Sequence, residues 1–450
     1  MARTIFFLKQ FLLRNTSTGQ TVTKNTFWLF FGQILSRLFR ATIVIYAARK
    51  LGADSWGAFS HALGIATFLT IVTDIGINGL ITRQTSKNPA LRDEYISTGF
   101  FIKIFLISVA LIALIILFPH VTNIPEAKTL IPILIFVFAF DTIRDLGNAL
   151  IRSLEKMELE ALITVFTNLI IAVLGFVLLA YSNTSMSLAL AYAIGSLLGM
   201  IIAIFSLRRH IKNIFIHFKP SLIKPILQTA WPFGLLGIMG IVTLNTDIIM
   251  IGWLRSPSEV GYYSAAQKLI QLLYVFPTLI GISIFPAVSR LLATIPAIAK
   301  KILEYALSFV FVFSVVFVVI GFVAAPEIIS LFFGSSYFAA VLPFQILIFT
   351  LLSVYPSSIL SQAIFAYGYE KRFLPVVLWT IFGNAFFNIL LIPKFGIEGA
   401  AFATIAVQII TSSYLWYTIY KVTGLSIKSS FLSLFDFFAR YKKSKSVGGF

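Results

Sequence analysis

Two arginines stand in the middle of an apolar run, "WLFFGQILSRLFRATIVIYAA" (28–48). Gln33, Arg37 and Arg40 are spaced by four and three residues, and Val44 follows four later. On a helix that spacing puts all of them on one face. A guanidinium stays protonated at any physiological pH, and its planar fork donates to two oxygens at once, so the pattern suits a phosphate or diphosphate. Facing lipid, two such cations would cost about 5–7 kcal/mol. A water-filled cavity removes most of that cost and leaves an anion site. The plainer reading is ion pairing with Asp74 or Asp141, or reaching toward the nearer interface.

Other charges lie in similar runs. Asp141, Arg144, Asp145, Asn148 and Arg152 form a second stripe of alternating sign. It reads equally as an ion-pair ladder or as substrate contact. In "TDIGINGLITRQTSK" (73–87), Asp74 and Asn78 are four apart and share a face, and Gly76 and Gly79 permit close helix approach. Asp74 is the expected counter-charge for Arg37 or Arg40. Arg83 and Lys87 fall near the inner surface as a cationic flank. Lys103 reads as a snorkelling lysine. Asp247 either pairs with Lys268, which shares a face with Ser264 and Gln271, or holds a coupling proton or sodium ion. Asn384 and Asn388, four apart, suit a helix contact.

None of this is catalytic chemistry. The chain has no cysteine, its four histidines lie far apart, and no paired carboxylates stand out in its loops. No catalytic residue, metal or cofactor is expected, so the chain does not read as an enzyme.

The elements that position these residues are membrane spans. The chain is 58% hydrophobic and 12% charged, against roughly 25% charged in soluble domains. Twelve apolar runs near the ~20 residues a bilayer requires recur along it. They lie at about 26–48, 57–82, 97–118, 130–152, 160–181, 187–207, 229–253, 262–288, 303–324, 341–366, 373–392 and 398–420. With both termini in the cytoplasm, 26 of the 35 Lys and Arg fall in inside segments and five outside. The net charge of +18 then reflects cationic loops beside anionic lipid, not nucleic acid. The fold class is an all-α polytopic membrane protein with about twelve transmembrane helices in two six-helix lobes around a central cavity. Its divisions are 1–25, an interfacial segment; 26–216 and 217–420, the two lobes; and 421–450, a basic amphipathic cytoplasmic tail.

The lobes read as a repeat. Gly57, Phe59 and Ser60 in "LGADSWGAFSHAL" match Gly261, Tyr263 and Ser264 in "LRSPSEVGYYSAAQKL" at an offset of 204. Six spans separate matched positions, an even number, so the halves sit the same way up. Such a parallel repeat has its axis along the membrane normal.

"LGADSWGAFSHALGIATFLTIVTDIGINGLITRQTSK", "NTDIIMIGWLRSPSEVGYYSAAQKLIQLLYVFPTLIGISIFPAVSRL" and "AIFAYGYEKRFLPVVLWTIFGNAFFNILLIPKFGIEGAAFATIAVQ" resemble lipid-linked oligosaccharide flippases. These form the O-antigen type polysaccharide biosynthesis branch of the multidrug/oligosaccharidyl-lipid/polysaccharide exporter superfamily. The resemblance covers about residues 25–420. It implies two helical bundles in a V around a cavity, and movement of a polyprenyl-diphosphate-linked oligosaccharide from the cytoplasmic to the outer leaflet of the plasma (inner) membrane. The family's cationic first-lobe cavity maps onto Arg37 and Arg40, with Arg83 at its cytoplasmic mouth. From the residues themselves, Gln33, Asp74, Asn78, Asp141, Arg144, Asp145 and Lys268 are the candidate polar and counter-charge residues of the cavity, and Asp247 the candidate for a coupling ion. The implied partners are the lipid-linked oligosaccharide, membrane lipids, and polysaccharide polymerase and glycosyltransferases. Two alternatives stand beside it: a cation-coupled multidrug antiporter of the same superfamily, and a membrane glycosyltransferase or polymerase.

Overall fold

The computed structural model describes residues 18–212 and 214–425. The N-terminal "MARTIFFLKQFLLRN" and the tail "SSFLSLFDFFARYKKSKS", both expected as interfacial helices, lie outside the described residues. No strand occurs among those described. The helices are α1 Thr18–Thr73, α2 Ile77–Lys87, α3 Arg92–Val121, α4 Pro125–Ser153, α5 Met157–Tyr181, α6 Ser185–Ile211, α7 Ile223–Leu254 and α8 Pro257–Leu273. They continue as α9 Val275–Thr294, α10 Pro296–Val323, α11 Ala325–Phe333, α12 Val341–Ile348, α13 Leu351–Ala366 and α14 Leu374–Thr423.

Among the described residues, seven helices are long and apolar enough to cross a membrane, or eight if the pair 335–348 and 351–366, bent by 45°, makes one span. The chain is therefore a multi-pass membrane protein. Two of the seven exceed one crossing. At 1.5 Å per residue, the 56 residues of α1 would run about 84 Å through a core ~30 Å thick. Gly52 interrupts α1 at φ 72°, where a side chain would be strained. Gly396, at φ 60° and three residues after Pro393, interrupts the 50 residues of α14 in the same way. By contrast α4, with 29 residues, is long enough but carries Asp141, Arg144, Asp145 and Arg152 in its second half.

Three expected spans are broken. The second, 57–82, stops as a helix at Thr73 and resumes at Ile77, with Gly76 left-handed at φ 92°. At this break α7 comes close: a methyl group on Gly234 would lie 2.6 Å from the Ile75 carbonyl carbon. The eighth, 262–288, breaks at Tyr274 between α8 and α9, and the tenth breaks between α12 and α13. A hydropathy sum over a whole span does not locate such breaks.

The chain divides into two compact units, 1–261 and 262–450. In the first, α6 lies against α5 through Gly195 and Gly199, where added methyl groups would collide with Ile171 and Thr167. This is the close approach that small residues four apart allow. The half of this unit that holds α2 is filled by Ile77, Leu80, Ile81, Leu146, Leu150, Leu207 and Ala230. The matched repeat elements meet here. A methyl group on Gly57 would lie 1.8 Å from the Pro257 carbonyl oxygen, and one on Gly261 would lie 2.1 Å from the Ala53 carbonyl oxygen. Ser258 donates to Asp54 between them. Ala53 and Pro257, and Asp54 and Ser258, are themselves 204 apart, so the contact has the symmetry of the repeat.

The second unit packs α9, α10 and α13 around Phe276, Phe309, Phe313, Phe317 and Tyr355. The Tyr355 hydroxyl donates to the Leu273 carbonyl at 2.9 Å, and Tyr274 bonds to Thr350 at 2.6 Å, so both side chains brace the α8–α9 break. Asn388 Nδ2 donates to Asn384 Oδ1 at 3.1 Å within buried surroundings.

Candidate functional site

The charges of the first unit gather into one polar network, built from α1, α3, α4, α5 and α6. On α4, Arg144 Nη1 donates to Asp141 Oδ1 at 2.7 Å, and Nε and Nη2 reach Asp145 Oδ1 at 3.3 and 3.2 Å. Asn148 Nδ2 adds a bond of 3.4 Å to the same oxygen. Spacings of three and four place these groups on one helix face, and one guanidinium satisfies two carboxylates. Arg152 bonds bidentately to Glu160 at the start of α5. This stripe is thus largely paired within itself.

Asp74 sits in the break between α1 and α2. Its Oδ2 accepts from Asn78 Nδ2 at 2.7 Å, and its Oδ1 lies 3.5 Å from Lys103 Nζ. The expected pairing of Asp74 with Arg37 or Arg40 is not what the structure shows. The break turns Asp74 toward α3, where Lys103 takes the role. Lys103 is not a snorkelling lysine either: its side chain is 1% exposed. The helix α3 begins at Arg92, five residues before the apolar run, which sets Lys103 about 16 Å along the helix, beyond a lysine's reach to the surface. Arg144, Asp145 and Lys103 form one electrostatic chain.

Arg40 is exposed, but its orientation is fixed. Its Nε donates to Asn168 Oδ1 at 3.1 Å, Asn168 is itself anchored on the Thr164 carbonyl at 2.9 Å, and the guanidinium lies 5.3 Å from the Tyr192 ring centre. Asp141 is its nearest acid by electrostatic influence. Arg37, one turn earlier, is exposed and has no hydrogen-bond or ion-pair partner among the described residues. Gln33 is exposed on the same stretch. Arg144 and Lys103 are thus matched to acids, whereas Arg37 and the terminal nitrogens of Arg40 have no hydrogen-bond or ion-pair partner among the described residues.

The remaining expected residues lie elsewhere. Arg83 is exposed on α2. Asp247 is fully buried on α7. Lys268 belongs to the second unit, where its Nζ donates to Gln271 Oε1 at 3.4 Å. Sequence reasoning missed Asn168 and Tyr192, single polar groups in apolar helices whose role depends on Arg40 reaching them.

The chain as a whole has counterparts among known proteins. The chain is 22% identical over 89% of its length to the capsular polysaccharide biosynthesis protein CapF of Staphylococcus aureus, covering 99% of that protein. It is 26% identical over 81% of its length to the probable flippase AglR of Haloferax volcanii, covering 76% of it. The structure superposes on the lipid II flippase MurJ in an inward closed conformation with a TM-score of 0.73, at 18% identity, over 93% of this chain and 92% of that one. Residues 22–292, more than half the chain, match the model of the polysaccharide biosynthesis protein family, and the chain belongs to that family.

Proposed function

We propose that the protein is a flippase that carries a polyprenyl-diphosphate-linked oligosaccharide, a surface polysaccharide repeat unit, from the cytoplasmic to the outer leaflet of the plasma (inner) membrane. The observation that carries this reading is Arg37, exposed and without a hydrogen-bond or ion-pair partner among the described residues, one turn from Arg40 in an apolar stretch of α1. Family membership and the flippases among its relatives support it.

In this reading both termini are cytoplasmic, and twelve spans form two six-helix lobes. The count follows if α1 and α14 each contribute two spans and the broken helices are rejoined. The diphosphate meets Arg37 and Arg40 while the sugar occupies a hydrated cavity and the polyprenyl tail stays in lipid. A bare diphosphate in lipid would lose its hydration without compensation, and fixed guanidinium donors lower that penalty. The lobes then rock, and the head group is released outside. No covalent bond is made or broken, so the protein is a transporter and not an enzyme. A polymerase and glycosyltransferases would act before and after it.

An antiporter of cations needs an acid free to bind them. In the first unit Asp74, Asp141 and Asp145 are each engaged by Lys103 or Arg144, which disfavours that reading. The test is reconstitution of the full chain in vesicles with a fluorescent lipid-linked oligosaccharide. Protein-dependent appearance of the head group in the opposite leaflet supports the proposal. No transfer, together with proton- or sodium-driven efflux of an organic cation, would replace it with the antiporter.

A further inference from the structure

A second feature of the first unit is unrelated to the polar network. Between α3, α4 and α6 lies a cavity of about 170 Å³. Its walls include Phe100, Leu146, Gly147, Leu150, Ala203 and Leu207. It opens beside Ile204 and Phe215, which are 41% and 74% exposed. Gly147 supplies the hollow in one wall: a methyl group there would lie 3.2 Å from Leu207.

The cavity and the polar network occupy opposite sides of α4. At about 100° per residue, Ile143, Leu146, Gly147 and Leu150 face away from Asp141, Arg144, Asp145 and Asn148. A lipid whose diphosphate sat at Arg37 would have to pass through the helix to place its chain here. The cavity therefore does not belong to the transported lipid.

One end of the cavity lies among cations. Arg92, one turn before the lining residue Ile96, donates from Nη2 to the Ser153 carbonyl at 3.3 Å, while its Nε is buried without a partner. Around His210 stand Lys156, Arg92 and Arg209, with Asp93 the one acid among them. Arg208 lies over the Phe205 ring at 4.3 Å, beside the mouth. An apolar slot ending in clustered Lys and Arg has the two halves of an anionic lipid's chemistry: a hydrocarbon chain, and a phosphate held at the membrane surface.

We infer that this cavity binds one acyl chain of an anionic phospholipid of the cytoplasmic leaflet, with its phosphate on the Arg92–Arg209 cluster, as a resident lipid of the first unit. The leaflet rests on the orientation proposed above; the pairing of chain and phosphate does not.

The experiment equilibrates the purified full chain with mixed phosphatidylglycerol and phosphatidylcholine vesicles, extracts it in mild detergent, and counts retained lipid by native mass spectrometry. The wild type should retain phosphatidylglycerol over phosphatidylcholine by roughly tenfold or more, the order expected for two arginines near a phosphate. Ala203→Phe, which fills the slot, should abolish retention of both lipids. Arg92→Gln with Arg209→Gln should remove the preference and leave residual binding, with an unchanged unfolding temperature as the control for folding. Equal retention of the two lipids by the wild type, or unchanged preference in the double arginine variant, would overturn the inference. Displacement by a polyprenyl phosphate with no phospholipid effect would also overturn it. Retention in detergent does not depend on transport, so this result and the flipping assay fail separately.

Discussion

Gly57 and Gly261, 204 residues apart, lie so close that a methyl group on either would enter the backbone of the other's helix. The contact is reciprocal, Gly57 on Pro257 and Gly261 on Ala53, with Asp54 and Ser258 bonded between. A repeat inferred from three matched residues is thus also a packing device. In an alternating-access transporter, a contact that admits only glycine suits a gate that closes fully and reopens.

The first prediction concerns that gate. Gly57→Val and Gly261→Val should each stop transport while leaving the protein inserted, because the side chain holds the two elements apart. Conversely, Asp54→Cys with Ser258→Cys should form a disulfide under mild oxidation, block flipping, and recover on reduction. Unimpaired flipping by the oxidised, cross-linked double variant would remove this contact from the cycle.

The ion pair of buried Lys103 with the partly exposed Asp74 gives a second prediction. Removing the acid leaves an uncompensated buried ammonium, so Asp74→Asn should destabilise the protein by about 3–5 kcal/mol. Asp74→Asn combined with Lys103→Gln should recover much of that loss. Thermal unfolding in detergent measures both, and equal loss in the single and double variants would show that the two charges are uncoupled.

Part of the architecture was legible in the sequence: apolar helices recurring along the chain, and the charged stripe of Asp141, Arg144 and Asp145 on one helix face. Those features depend on residue type at helical spacing. The exact positions of the breaks, at Asp74–Gly76 and at Tyr274, were not legible, because the backbone turns there through tertiary contact. Lys103 was misread for a related reason. Its depth depends on where α3 begins, and Arg92, Asp93 and Glu94 hid the first turn of that helix from a hydropathy reading. Arg40's partners, Asn168 and Tyr192, each sit alone in an apolar run, so nothing in their local pattern marked them.

His210 offers a third prediction, as a spectroscopic reporter. Lys156, Arg92 and Arg209 are its cationic neighbours. A phosphate bound to the same cations favours the protonated form and should raise the titration midpoint. Imidazole NMR in phosphatidylcholine and in phosphatidylglycerol nanodiscs would record the shift, and an identical midpoint in both would place the phosphate elsewhere.

The central claim, that Arg37 and Arg40 hold the diphosphate, is tested most directly by flipping of a lipid-linked oligosaccharide in vesicles bearing Arg37→Ala, Arg40→Ala or both. A charge-assisted contact contributes about 1.5–3 kcal/mol, so each single variant should slow transfer roughly ten- to hundredfold, and the pair should abolish it with unfolding temperature unchanged. Wild-type flipping by the folded double variant would contradict the account.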